Sequence, residues 1–202
     1  MTFTTPEIVA ILSGASFAAG LNVYATVATL GLLSRTGLLP LPPPLRLLDS
    51  WWIIIATAAL FLVEFFADKV PAFDLIWNAV QTFVRVPVAA LLAYGATAQL
   101  SPGAQVAAAG IGGLVALAAH GGKMALRAAV TPSPEPFSNI ALSLGEDVLA
   151  VGLTWFATAH PYVAAAVVAA LVLLVVLAIR QVYRALLRLF RGARQQLQTQ
   201  HS

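Results

Sequence analysis

From Tyr162 to Ile179 the chain is almost pure Val, Ala and Leu. A run of that kind suits a helix crossing a bilayer. The hydrocarbon is about 30 Å thick, each helical residue rises about 1.5 Å, and a helix satisfies its own backbone polar groups. Five earlier stretches fit the same ruler: about Ile8 to Leu33, Trp51 to Asp68, Phe83 to Ala98, Ala104 to Arg127, and Ser138 to Ala159. The charge inventory closes off the alternatives. Lys, Arg, Asp and Glu make up 9% of the 202 residues, against about 25% in a soluble domain, too few to cover a water-facing surface. That excludes an ordinary cytosolic globule and a disordered chain. A nucleic-acid partner is excluded too, because five of the eleven basic residues crowd one C-terminal stretch instead of a folded face. With no cysteine, there is no disulfide framework, thiolate metal site or Cys nucleophile. The expected fold is all-α: a polytopic membrane bundle of about six spans over residues 1–180, then a basic amphipathic tail over 181–202.

Basic residues orient the spans. Arg180, Arg184, Arg188, Arg191 and Arg194 place the tail in the cytoplasm, and six spans then put the N-terminus there as well. In this frame Lys69, Arg85, Lys123 and Arg127 also fall inside, and only Arg35 and Arg46 fall outside, beside the proline-rich turn Leu39 to Pro44. Nine against two supports the six-span count. The first span lacks the basic leader of a signal peptide and is too long for one. Trp51 and Trp52 read as an interfacial anchor. The tail's Val182, Leu186, Leu187, Leu189 and Phe190 would lie on the headgroups, with the arginines reaching anionic lipid.

Ionisable residues inside spans are expensive, so they face a bundle interior or a wet cavity. Glu64 and Asp68 stand four apart on one face of span two, Glu64 about 20 Å below its external end. His120, Lys123 and Arg127 share one face of span four, with His120 at nearly the depth of Glu64. Span five brings Glu146 and Asp147, and Arg85 is expected at the cytoplasmic start of span three. Together these predict a charge-paired polar pocket open to the cytoplasm. Asp68, Lys69, Asp74 and Arg127 read first as locking or snorkelling groups. Glu64, His120 and Glu146, lying deeper, read as a proton-coupling set, because a carboxylate and an imidazole both titrate when partly desolvated. Asn22 and Tyr24 must also find partners inside the bundle. Gly121 and Gly122 beside His120 predict a weakened helix at that level, a transporter habit. The segments after spans two and four, with Pro71 and Pro87 in one and Pro132, Pro134 and Pro136 in the other, read as cytoplasmic loops. Ser133, Ser138 and Ser143 are candidate headgroup contacts or helix caps. An inverted repeat aligning Glu64 with Glu146 is not supported, because the intervening distances differ.

Gly20-Leu21-Asn22-Val23-Tyr24, then Glu64-Phe65-Phe66-Ala67-Asp68-Lys69-Val70-Pro71 with Asp74 and Trp77, then Ser133-Pro134-Glu135-Pro136 with Asn139, resemble the bacterial membrane family catalogued as domain of unknown function 4126. The resemblance covers nearly the whole chain before the arginine tail, and its most specific part is 64–71. Asn78 stands where an aspartate is expected. The resemblance implies an integral membrane protein and supplies no activity and no catalytic residues.

The missing motifs narrow the activity. There is no His-Glu-x-x-His, no Gly-x-Ser-x-Gly elbow and no phosphate loop, and histidines 120, 160 and 201 cannot share a metal on one helix face. No enzyme, metal or cofactor is expected. The leading expectation is a small secondary transporter, proton-linked, for an anionic small molecule or lipid headgroup. Its site residues are Glu64, His120, Glu146, Lys123, Arg85, Asp68, Asp147 and Asn22, and its assembly a homodimer. The alternative is a non-transporting scaffold or assembly factor whose charges are structural pairs. A lipid-modifying enzyme with Glu64 and His120 as acid and base ranks third.

Overall fold

A computed structural model describes residues 4–69, 71–130 and 136–199, and the side chains of these except at 5, 71–75, 128–130, 136, 138–139, 182–183 and 185–199. Ser133 and the side chains of Asp74, Ser138, Asn139, Arg188, Arg191 and Arg194, on which expectations rested, lie outside the described residues. The described chain is helical. It runs α1 (Thr5–Leu21), α2 (Val23–Arg35), a short 3-10 helix (Pro43–Asp49), α3 (Trp51–Ala67), α4 (Pro71–Ala96), α5 (Pro102–Val130), α6 (Pro136–Ala159) and α7 (Pro161–Thr199). Four helices are long and apolar enough to cross a membrane: Ile76–Ala96, Pro102–Arg127, Ile140–Ala159 and Pro161–Gln181. The 3-10 helix and α3, bent by 65°, make a fifth if they count as one span. The shorter α1 is apolar from Pro6 to Leu21. The backbone of α7 continues without a break past Arg180 into the basic tail.

Small residues explain why α1 sits at the centre. Lipid chains are as apolar as leucine, so helices in a bilayer associate through close packing and polar contacts. From Ala10 to Leu21 every residue of α1 except Ser13 is buried, packed against α4, α5, α6 and α7. Gly14 presses on α6, where an added Cβ would meet that of Ala157 at 2.5 Å. Gly20 presses on α5, with the Ala116 carbonyl and the Ala119 Cβ in the way of any side chain. Gly112 does the same for α5 against Ala93 of α4. At the opposite end from the charged cluster, the guanidinium of Arg35 lies 4.4 Å over the exposed Trp51 ring and donates to the Asp49 carbonyl at 3.0 Å, tying α2 to the start of α3.

Three expectations change. The first span is not one helix: the chain is extended at Asn22, with φ −151° and ψ 104°, and this divides α1 from α2. Conversely α5 runs unbroken through Gly121 and Gly122, so the interruption belongs to the first helix. Glycine lowers helix propensity by only about 1 kcal/mol, too little to break a packed membrane helix. Finally, α4 begins at Pro71, not near Phe83, and carries Pro87 in its interior. Pro71 suits a first turn, where an N–H has no intrahelical partner anyway, and an interior proline is tolerated in a membrane helix where neighbours re-satisfy the freed carbonyl.

The close approach at Gly20 gives a direct test. Gly20→Val should lower stability by about 1–3 kcal/mol through overpacking. Gly121→Ala, with nothing within 4 Å of its new Cβ, should leave the thermal unfolding midpoint unchanged or slightly raised in detergent.

Candidate functional site

The site is built around the break at Asn22. The Asn22 N–H still bonds the Ala18 carbonyl at 2.9 Å, closing α1. Its side-chain Oδ1 accepts from the Ala25 N–H at 2.9 Å, capping α2. Its Nδ2 donates to Asp147 Oδ1 of α6, also at 2.9 Å. A helix end leaves its last carbonyls without intrahelical donors and carries partial negative charge. Here two cations take those carbonyls: Arg85 Nη1 donates to Gly20 O at 3.2 Å and Lys123 Nζ to Leu21 O at 3.4 Å. The backbone interruption is thereby part of the charged site.

The rest of the network descends in layers. In the first, Arg85 of α4 pairs with Glu64 of α3 and places Nη1 2.8 Å from His120 Nδ1 of α5. A guanidinium only donates, so Nδ1 is the acceptor and the proton belongs on Nε2, which donates to the Asn78 carbonyl at 3.1 Å and lies 2.8 Å from Thr82 Oγ1. His120 is thus a neutral imidazole. In the second layer, Lys123 Nζ lies 3.1 Å from Asp68 Oδ2, 3.2 Å from Glu146 Oε2 and 3.6 Å from Glu64 Oε1. In the third, Arg127 Nη2 reaches the same Asp68 Oδ2 at 2.8 Å and the same Glu146 Oε2 at 2.6 Å. Ser143, buried on α6, donates to Asp68 Oδ2 at 3.5 Å. Every ionisable residue of this network is at most 7% exposed.

All eight expected site residues, Glu64, Asp68, Arg85, His120, Lys123, Glu146, Asp147 and Asn22, come together. Two details of their arrangement differ from expectation. Glu64 and His120 do not form a carboxylate–imidazole pair, because the Arg85 guanidinium stands between them. Arg85 is not at a cytoplasmic helix end; it is fully buried near the middle of Ile76–Ala96, because α4 starts at Pro71, three to four turns before the expected start near Phe83. The expected open pocket is instead a closed, salt-bridged layer. Lys69 stays outside it, donating to the Phe65 carbonyl at 2.7 Å and lying over the Phe65 ring. Tyr24 accepts from Gln81 Nε2 at 3.0 Å. Gln81 and Thr82 were missed in the sequence because 71–82 was read as lying outside the membrane. The available signal was Asn78, Gln81 and Arg85, spaced three and four apart on one helix face.

Among the described residues, apolar cavities lie away from this network. One of about 470 Å³ sits between α2, α3 and α4, lined among others by Val27, Leu48, Thr57 and Val88.

The family described as Domain of unknown function (DUF4126) matches residues 9–181, and the chain belongs to it. No curated protein and no solved structure matches the chain.

Removing one partner of a buried ion pair leaves the other charge stranded, which costs about 3–5 kcal/mol. Asp68→Leu should therefore destabilise strongly, and so should Arg127→Met. The double variant should cost clearly less than the two added together, as read by denaturant unfolding in detergent micelles.

Proposed function

We propose that this protein is a small proton-linked transporter for an anionic small molecule or an anionic lipid headgroup, and that the buried network is its coupling site. The observation that carries the reading is the sharing of two carboxylate oxygens, Asp68 Oδ2 and Glu146 Oε2, by both Lys123 and Arg127. Each carboxylate occupies the position that a substrate anion would take on those cations. While charged and tethered, it excludes the substrate. Protonation removes its charge, frees a cation and lets an anion bind, so proton and anion enter together and the site stays near neutral. A helix interrupted at the same level supports the reading, since transporters build sites from the ends of broken membrane helices.

The reading places six spans in the bacterial cytoplasmic membrane, with both termini inside. Spans one and two are α1 with α2 and the 3-10 helix with α3, and α4 to α7 supply the others. The excess of nine basic residues over two on the cytoplasmic side supports that orientation. Six spans are few for a transporter, and a homodimer is the assembly we propose. The protein is then a carrier and not an enzyme. One observation favours the second reading, a scaffold: the same ion pairs staple α3, α4, α5 and α6 together, as a purely structural network would.

Glu64→Gln separates the two. The amide keeps an acceptor for Arg85 but removes the charge. In proteoliposomes loaded with a pH-sensitive dye and challenged with phosphate, dicarboxylates and lysophosphatidylglycerol, the wild type should show anion-dependent proton entry. E64Q should lose that entry while its unfolding temperature falls much less than that of Asp68→Leu, because the amide oxygen still accepts from Arg85. An unstable E64Q protein that still transports contradicts the transporter site.

A further inference from the structure

Charge balance singles out one group in the network. Glu64 is paired with Arg85 and Lys123, and both Asp68 and Glu146 are paired with Lys123 and Arg127. Asp147 is different. It is 6% exposed, and among the described residues no Lys or Arg nitrogen lies within the 4.0 Å of an ion pair. Its Oδ1 accepts the Asn22 amide at 2.9 Å, and its Oδ2 has no hydrogen-bond partner among the described residues. With His120 neutral, three buried cations among the described residues, Arg85, Lys123 and Arg127, face four buried carboxylates, Glu64, Asp68, Glu146 and Asp147, while Lys69 is only partly buried and its ammonium sits on the Phe65 carbonyl and ring instead of in an ion pair. A buried carboxylate without a cation is neutralised by a proton. No group of three His, Asp or Glu side chains among the described residues is placed to hold a metal ion that would serve instead.

We propose that Asp147 is the proton-binding residue of the protein, and that Asn22 carries its protonation state to the break between α1 and α2. This rests on the proton-linked reading above and names the group that holds the proton. The charged groups around Asp147 are Glu64 from α3, Asp68 and Lys69 from the turn that follows it, Lys123 and Arg127 from α5, and Glu146 on its own helix. Lys123 and Arg127 are already engaged by Glu64, Asp68 and Glu146, so the fourth acid rests neutral, with its proton on Oδ2. The Asp147 proton passes to the Glu146 carboxylate, which then releases Arg127, and an anion takes its place on that cation. The O–H bond at Asp147 breaks and one forms at Glu146. Asp147 is then reprotonated from bulk water, so one proton enters with each anionic charge. While Asp147 is charged, its bond from the Asn22 amide becomes charge-assisted and stronger. Because the other end of the same Asn22 side chain caps α2, the α2 start feels each proton transfer.

The test is infrared titration of the full chain in phosphatidylcholine vesicles, combined with hydrogen exchange at the Ala25 amide. The wild type should show the carbonyl stretch of one protonated, buried carboxylic acid at neutral pH. Asp147→Asn should remove that band, Glu64→Gln should retain it, and the pH dependence of Ala25 exchange should vanish in Asp147→Asn. The asparagine oxygen can still accept from Asn22, so this variant is expected to fold. Should it not, Asp147→Glu keeps an acid and must shift the titration midpoint of the band. Absence of the band from the wild type, its survival in Asp147→Asn, or an unshifted midpoint in Asp147→Glu would overturn the assignment. If the band follows Asp147 while vesicles carry no anion, the transporter reading falls and the proton site stands. If vesicles transport while the band ignores Asp147, the proton site falls alone.

Discussion

Charge compensation away from water is the constraint on which the rest of this molecule depends. Moving an ion out of water costs several kcal/mol even after relaxation, and attraction between partners offsets this only with good geometry and further hydrogen bonds. Among the described residues, the cations Arg85, Lys123 and Arg127 and the carboxylates Glu64, Asp68 and Glu146 meet these terms by sharing. Lys123 has three carboxylates and one backbone carbonyl around its ammonium, and Arg127 bonds both the side chain and the backbone carbonyl of Asp68. No helix could shift alone without stranding a charge, so α3, α4, α5 and α6 are held in register by electrostatics where lipid supplies no hydrophobic drive.

The break at Asn22 is the backbone's share of the same solution. An unbroken helix would keep the Gly20 and Leu21 carbonyls for its own ladder and leave Arg85 and Lys123 each short of an acceptor. Small residues complete the arrangement. Gly20 brings the end of α1 against Ala116 and Ala119, just above His120, and a larger side chain there would push the freed carbonyls away from the cations. Packing and charge therefore meet at one turn of one helix. A conformational change that reaches this turn reaches the network as well.

Much of this was legible in the sequence. Spacings of three and four put Glu64 with Asp68, and His120 with Lys123 and Arg127, on single faces, and their depths placed them at one level. What hydropathy could not show was the backbone. Asn22 lies in an apolar run that reads as continuous, and only its bonds to Asp147 and Ala25 reveal a cap. Gly121 and Gly122 look like a weak point, yet α5 passes through them because glycine costs a helix only about 1 kcal/mol. Arg85 was misplaced for a related reason. The polar first half of α4 resembles a loop on any hydropathy ruler, although its Asn78, Gln81 and Arg85 stripe faces the bundle interior.

The network is closed in this structure, and the proposed mechanism requires protonation to open it where Asp68, just after α3, meets Arg127 of α5. The absence of cysteine allows labels to be placed uniquely. Phe66 on α3 and Leu126 on α5 are both exposed and stand within two residues of Asp68 and Arg127. Spin labels at Phe66→Cys and Leu126→Cys, read by pulsed electron-spin distance measurement in liposomes, report directly on the Asp68–Arg127 contact. The account predicts one short distance at neutral pH and a second, longer population on acidification, absent when Asp68 and Glu146 are both amides. A single distance that stays the same at every pH would mean that the charges are a permanent staple and not a coupling site.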